Sequence, residues 1–127
     1  MIYIASKTAH SDKWKYLRDN FDVPIVSRWI DYGFEINDFN MLWKECLQDI
    51  EKAEYFILYD QKEHLKGALV ELGYAFSLSN LKIILVNLDY SISQHEIVEN
   101  KSNLEEALLL ANVEINNELQ LWLRENT

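Results

Sequence analysis

Glu71 is the acidic residue whose surroundings in the sequence most favour chemistry. It lies in a run, residues 68–76, that otherwise holds mostly helix-core side chains, and Gly67 and Gly73 flank it. Glycine permits close approach of a ligand or another backbone, and the start of a helix favours an ionised acid. An ionised, partly desolvated carboxylate at a cleft can attack the anomeric carbon of a sugar. The alternative is a glutamate on the solvated face of an amphipathic helix.

Apolar runs predict the strands that would position such a residue. The predicted strands are nearly continuous in apolar residues, as is typical of a parallel sheet covered on both faces. We therefore predict one domain over residues 1–127, an α/β fold with a three-layer, doubly wound, mostly parallel sheet of four to five strands, flavodoxin- or Rossmann-like. The predicted strands are residues 1–6, 23–27, 53–59 and 82–87, with a short fifth around Ile97 and Val98.

Helical spacing between these runs predicts the covering helices. Residues 28–37 are predicted to be a loop, and the segment after residue 65 is predicted to run from a loop into the helix of Glu71. The predicted caps are Ser11 for a helix to about Asn20, Asn37 or Asp38 for the next, and a Ser102–Glu105 capping box for a final helix through Leu123.

In a doubly wound sheet, ligands bind beyond the carboxyl ends of the strands, where the strand order reverses. This rule gathers residues 6–10, 27–33, 59–71 and 87–93 around one crevice. Neither GxGxxG nor GxxxxGK[ST] occurs in the sequence, so a nucleotide in this crevice would be bound in another way.

The run from Gly67 to Ala75, Gly-Ala-Leu-Val-Glu-Leu-Gly-Tyr-Ala, resembles the signature of the nucleoside 2-deoxyribosyltransferases. In that signature a Gly shortly precedes a Glu that is followed by Leu-Gly-Tyr-Ala. The opening Ile2-Tyr3-Ile4-Ala5 is similar to the family's first strand. Weaker similarity to the short phage- and bacterial-type branch lies at Trp29-Ile30-Asp31, around Trp43, and over residues 95–98 and 105–108, so the resemblance covers nearly the whole chain in order.

The resemblance implies an N-glycosyl transferase or hydrolase that acts on a nucleoside, a deoxynucleoside or a nucleoside 5′-monophosphate. The N-glycosidic bond would be cleaved through a glycosyl ester on Glu71, and the sugar would pass to another base or to water. Tyr3 would lie close enough to Glu71 to orient or polarise it.

This sequence matches the family less closely at the positions of the acid that assists the departing base. Family members usually carry an Asp on the helix before the third strand, at a position that falls near Cys46 and beside Glu45. A further family Asp precedes the motif Gly, where this sequence offers Asp60 and Glu63 at a shifted spacing. We predict Asp31 as the base contact or proton donor; the alternative is a turn or cap residue.

Polar and aromatic residues around the crevice predict how a substrate would be bound. Lys7 and Lys66 follow the first strand and precede the Glu71 helix, where a 5′-phosphate would bind; alternatively, each is an ordinary surface lysine. Trp29 is the tryptophan placed to stack on a base. The predicted substrate-binding residues are Ser6, Lys7, Trp29, Asp60, Glu63, Lys66 and Gly67, and Thr8 lies beside them.

Composition narrows the function classes. The net charge of −9, from 21 acids and 12 bases, would repel a polynucleotide. Cys46 is the single cysteine, and we predict that it is a small buried hydrophobe. The three histidines have no ligand-like spacing, so we expect no metal and no cofactor. The sequence has no run of apolar residues long enough to span a membrane, and we expect a cytoplasmic protein.

Other interpretations remain open at this level. The final helix is more apolar than one packed face requires, which favours a homodimer or higher homo-oligomer; the alternative is a buried closing helix. The crevice could instead belong to a catalytically inactive module that senses or sequesters a nucleotide. The acidic surface alone would also suit an interaction domain.

Overall fold

Strands and helices alternate along the chain as predicted. The computed structural model describes residues 1–32, 38–61, 65–87 and 95–127. Two short 3₁₀ turns, Thr8–His10 and Arg28–Asp31, lie before α1 and α2. The strands are β1 (Ile2–Ala5), β2 (Tyr55–Tyr59), β3 (Lys82–Val86) and β4 (Val98–Lys101), and the helices are α1 (Ser11–Phe21), α2 (Phe39–Lys52), α3 (Gly67–Phe76), α4 (Leu104–Leu110) and α5 (Asn117–Asn126).

The strands form one parallel sheet of four, in the order β1-β2-β3-β4. Tyr3 of β1 pairs in register with Phe56 of β2, which pairs with Ile83 of β3. All of β1 and the last four residues of β2 and β3 are buried, because helices cover both faces of the sheet. The predicted three-layer α/β fold is confirmed.

Alternate strand side chains contact the two helical layers. On one face Tyr3 reaches Glu71 of α3, and α2 packs beside α3. On the other face Tyr59 of β2 meets Trp14 of α1 edge to face, with ring centroids 5.2 Å apart. Tyr16 of α1 stacks on Trp122 of α5, with ring centroids also 5.2 Å apart. These two helices therefore share the second layer.

The predicted second strand, residues 23–27, is wrong in extent: it is reduced to one parallel bridge, at Ile25, on the outer edge of β1. The Ser27 hydroxyl accepts a hydrogen bond from the amide of Ile4 at 2.8 Å, and the Trp29 indole N–H donates to the carbonyl of Ile4 at 2.8 Å. Side chains therefore satisfy backbone groups that a longer strand would have paired. Because Ile25 and β2 lie on opposite sides of β1, the chain order reverses at β1, as a doubly wound sheet requires.

The predicted final helix is divided into α4 and α5, and the predicted capping box is wrong. Asn103 is the N-cap of α4, and its side-chain oxygen accepts from the amide of Glu106 at 2.9 Å. Ser102 instead donates to the Glu106 side chain at 3.3 Å. After α4 the chain turns at Asn112, whose φ of 63° is left-handed, a conformation that asparagine tolerates better than most residues.

The remaining boundaries lie close to prediction. Ser11 is the first residue of α1 and not its cap, while Asp38 caps α2 by accepting from the amide of Met41 at 3.0 Å. Asn37, the alternative cap, lies outside the described residues. The fifth predicted strand is β4, and it extends to Lys101. Within the described ranges, no helix has the length and apolar character needed to cross a membrane.

Candidate active site

A buried tyrosine–glutamate pair lies where β1 meets α3. Tyr3 is fully buried in β1, and its ring stacks on Phe56 of β2 with centroids 5.7 Å apart. Its phenol donates a hydrogen bond to the carboxylate of Glu71, 68 positions along the chain. Glu71 is 9% exposed. Tyr3 is thus placed where the resemblance implied that it would orient Glu71.

Burial dominates the protonation of this pair. It raises the pKa of Glu71 from 4.5 to about 7, and the hydrogen bond from Tyr3 opposes this rise in part. Burial first, and the charge of Glu71 second, hold the pKa of Tyr3 well above its ordinary value. The helix dipole, expected from sequence to keep Glu71 ionised, acts mainly in the first turn, whereas Glu71 is the fifth residue of α3. Near neutral pH a substantial fraction of Glu71 is therefore protonated.

A cavity of about 240 Å³ lies beside Glu71 at the carboxyl end of β1. This is next to the reversal of strand order, where a doubly wound sheet binds its ligands. Ligand pockets usually measure roughly 300–1,000 Å³, so the volume of this cavity lies just below that range and suits a small ligand. It is lined by Ser6, Lys7, Thr8, Trp29, Tyr32, Leu42, Trp43, Cys46, Leu65, Lys66, Gly67, Ala68 and Glu71.

Most of the site residues predicted from sequence line this cavity, and hydrogen bonds hold Ser6 and Trp29 as well as Glu71. The Ser6 hydroxyl accepts from the Trp14 indole at 2.8 Å and donates to the Lys7 carbonyl at 3.0 Å. Trp29 donates its N–H to the carbonyl of Ile4 in β1, so this N–H is already engaged. The predicted residues that line the cavity are Ser6, Lys7, Trp29, Lys66, Gly67 and Glu71.

Asp31, the predicted base contact or proton donor, does not line the cavity. Its two carboxylate oxygens accept from the guanidinium of Arg18 on α1, each at 2.9 Å, and its side chain is 45% exposed. The arginine on α1 thus fixes Asp31 away from the predicted role. Asp60 is buried after β2 but does not line the cavity either. Glu63 lies outside the described residues.

The contribution of α2 was missed from sequence. Leu42, Trp43 and Cys46 bring one face of this helix to the cavity, yet their helical spacing is equally typical of a core-facing stripe. The Trp43 ring lies against Gly67, 3.6 Å from where a Cβ would stand there. Burial raises the pKa of Cys46 to about 12, so its thiol is a poor nucleophile, in keeping with its interpretation as a buried hydrophobe.

A buried carboxylate on α2 holds the Arg28–Asp31 turn in place. Asp49 accepts from the amide of Arg28 at 3.0 Å and from its Nε at 3.0 Å, and the Asp49 side chain is only 4% exposed. Glu45, one helical turn earlier, lies 3.4 Å from Nη1 of Arg28 and accepts from the hydroxyl of Tyr32. Because Trp29 and Tyr32 line the cavity, α2 fixes its aromatic wall.

The charge of the cavity differs from that of the whole chain. Among the described residues, its lining holds Lys7 and Lys66 against one carboxylate, that of Glu71, although the chain carries a net charge of −9. Over the described ranges, no group of three or more histidine, cysteine, aspartate or glutamate side chains could hold a metal ion.

Comparison of this chain with protein-family models, curated proteins and solved structures finds no match.

Proposed function

We propose that this protein cleaves the N-glycosidic bond of a nucleoside, a deoxynucleoside or a nucleoside 5′-monophosphate through a covalent glycosyl ester on Glu71. The observation that carries the proposal is the Tyr3–Glu71 hydrogen bond beside a cavity walled by aromatic side chains. The motif around Glu71, as described above, agrees with it.

In the first step a carboxylate oxygen of Glu71 forms a bond to the anomeric carbon of the sugar. The bond from that carbon to the base nitrogen breaks, and the base leaves with the electron pair and takes up a proton. In the second step water or another base attacks the same carbon, loses a proton, and releases the carboxylate. Tyr3 donates to Glu71 throughout this sequence, which keeps the carboxylate oriented and favours its ionised form.

The lining of the cavity supports a nucleoside-type ligand. Trp29 offers a ring whose N–H is already engaged, and aromatic rings of this kind stack well on bases. Lys7 and Lys66 line the same cavity, and Lys66 is the N-cap residue of α3, whose own side chain does not cap the helix. Two cations near the N-terminus of a helix are suited to a 5′-phosphate.

A nucleotide-binding module without turnover is the second candidate. Among the described residues that line the cavity, Glu71 is the one carboxylate, so a second acid to assist the departing base is not seen there. The pKa of Glu71 at about 7 also leaves part of the population without the anion that attacks the sugar.

We also propose that the protein is a cytoplasmic homodimer or higher homo-oligomer with no polynucleotide partner. The support is the apolar surface left on its helices: Val70 is 61% exposed and Leu121 is 58% exposed. The acidic net charge supports a small-molecule ligand over a nucleic acid.

The test is incubation of the protein with nucleosides, deoxynucleosides and their 5′-monophosphates, with and without a second free base, followed by chromatography. Glu71→Gln keeps the shape of the side chain and removes the nucleophile, so we expect product formation to fall by more than roughly 1,000-fold. Glu51→Gln is the matched control, because Glu51 also accepts from a tyrosine, Tyr74, but lies outside the cavity. Absence of product from every substrate, with saturable binding that survives Glu71→Gln, would establish the binding module instead.

A further inference from the structure

The cavity has two chemically different edges. The segment after β1 and the start of α3 supply hydroxyl and ammonium groups. The second set of lining residues, which we name the aromatic edge, comes from the Arg28–Asp31 turn, the residue that follows it and α2. The aromatic edge consists of Trp29, Tyr32, Leu42, Trp43 and Cys46.

Tyr32 is the residue of the aromatic edge whose hydroxyl proton is already committed to a hydrogen bond. Its hydroxyl is hydrogen-bonded to Glu45, and an ionised carboxylate can only accept. Arg28 Nη1 lies 3.4 Å from Glu45 and balances its charge. The hydrogen bond to Glu45 raises the pKa of Tyr32, so the phenol keeps its proton at neutral pH. Because that proton is engaged, the phenol oxygen offers a ligand only its lone pairs.

Contacts from α2 hold Tyr32 in place, so its phenol oxygen accepts hydrogen bonds at a defined position. The Arg28–Asp31 turn is held by Asp49 through hydrogen bonds of 3.0 Å to the amide and Nε of Arg28. Glu45 and Asp49 are four residues apart on α2, so one helix face fixes both the turn and the phenol. A ligand without a hydrogen-bond donor at this position would leave the phenol oxygen desolvated and unpaired, which is unfavourable.

We propose that Tyr32, oriented by Glu45, selects ligands that present an N–H donor to the aromatic edge, such as the exocyclic amino group of adenine or cytosine. This inference rests on the proposed function, because it takes the ligand to be a nucleoside or its 5′-monophosphate. It adds the class of base, and it assigns Tyr32 as a specificity-determining residue and Glu45 as a positioning residue.

The experiment measures dissociation constants from the quenching of tryptophan fluorescence, in the Glu71→Gln background so that no ligand is consumed. Adenosine is compared with purine riboside, and cytidine with its analogue that lacks the amino group, as nucleosides and as 5′-monophosphates. Each pair differs by one amino group, so we expect the amino-bearing member to bind roughly 3- to 10-fold more tightly.

Two substitutions test the source of this preference. Tyr32→Phe removes the phenol oxygen, and we expect the ratio of dissociation constants to fall below about 2-fold. Glu45→Ala should have the same effect, because it removes the acceptor and frees the phenol proton to donate to a ligand that lacks the amino group. Tyr74→Phe is the control: it removes a tyrosine–glutamate hydrogen bond between α3 and α2 outside the cavity, and the ratio should not change.

Equal affinities within each pair, no binding of any pair, or a preference that survives Tyr32→Phe would overturn the inference. Circular dichroism establishes that each variant is folded, and Glu45→Ala decides the matter if Tyr32→Phe is not. A clear preference in a protein that cleaves none of these ligands would sink the proposed enzymatic function alone. Cleavage without a preference would sink the inference and leave the proposed function intact.

Discussion

The hydroxyl of Tyr3 donates to the carboxylate of Glu71 from a fully buried strand position. A donor fixed in the sheet is held more precisely than one on a loop. Burial raises the pKa of Glu71 to about 7 while this hydrogen bond opposes the rise. The ionisation of Glu71, and with it the proposed reaction, therefore depends on its burial and on the hydrogen bond from Tyr3, and a substitution can remove the second without the first.

Tyr3→Phe removes the hydrogen bond and leaves the packing on Phe56 nearly intact. The pKa of Glu71 should then rise above about 7, because the group that lowers it is gone. If the ionised carboxylate is the nucleophile, kcat/KM rises with pH through the pKa of Glu71, and in the variant this limb shifts to higher pH. The loss of activity should be larger at pH 6 than at pH 9, as measured by a pH–rate profile. An unshifted limb would mean that Tyr3 does not control the ionisation of Glu71.

Glu71→Gln should stabilise the protein above neutral pH. Since the folded-state pKa of Glu71 is raised from 4.5 to about 7, the folded state holds this proton more tightly than the unfolded chain. The contribution to the free energy of unfolding is fully present below pH 4.5 and is lost as pH rises through about 7. At 1.36 kcal/mol per unit, the loss is about 3 kcal/mol.

Glutamine does not titrate, so the variant escapes this loss. Denaturant unfolding at pH 5 and pH 8 measures the free energy of unfolding of both proteins. We expect similar values for wild type and Glu71→Gln at pH 5, and a higher value for the variant at pH 8. Equal stability at both values would show that burial does not perturb Glu71 as described.

Asp49→Asn should loosen the wall of the cavity. Asp49 is buried and bonded to the amide and side chain of Arg28, but the Arg28 side chain is 41% exposed and can turn to water. We therefore expect a loss of about 1–2 kcal/mol in the free energy of unfolding. We also expect the dissociation constant for the ligand to rise more in Asp49→Asn than in a control variant. That control is Asp19→Asn, an exposed partner of Arg18, for which neither measurement should change. An unaltered dissociation constant in Asp49→Asn would separate the turn from ligand binding.

Asn103→Ala and Ser102→Ala distinguish the observed cap of α4 from the one predicted by sequence. The Asn103 side chain accepts from the amide of Glu106 at 2.9 Å, and loss of such a cap costs about 1 kcal/mol. Within the part of the chain that the structure describes, the Ser102 hydroxyl bonds a side chain and no backbone amide of α4, at 3.3 Å, so Ser102→Ala should leave the melting temperature unchanged. The opposite ranking of the two variants in thermal unfolding would restore the predicted capping box.

The order of the elements could be predicted because local patterns encode it. The apolar runs that became β1, β2 and β3 are nearly continuous, and such runs fit a parallel sheet covered on both faces. The run at residues 23–27 has the same local pattern but became a single bridge at Ile25. Local pattern does not report that the side chains of Ser27 and Trp29 bond the β1 edge at Ile4.

The sequence by itself determined the sheet, the helix that carries Glu71, and the unusual position of an acid within an apolar run. Only the tertiary structure decided which residues share the cavity. Trp43 and Cys46 of α2 entered it because α2 packs beside α3, while Asp31 is drawn to Arg18 of α1. The physical reason is that propensity and periodicity act over a few residues, whereas burial and ion pairing depend on groups far apart in the chain. The pKa of Glu71 arises in the same way, from burial by the whole fold.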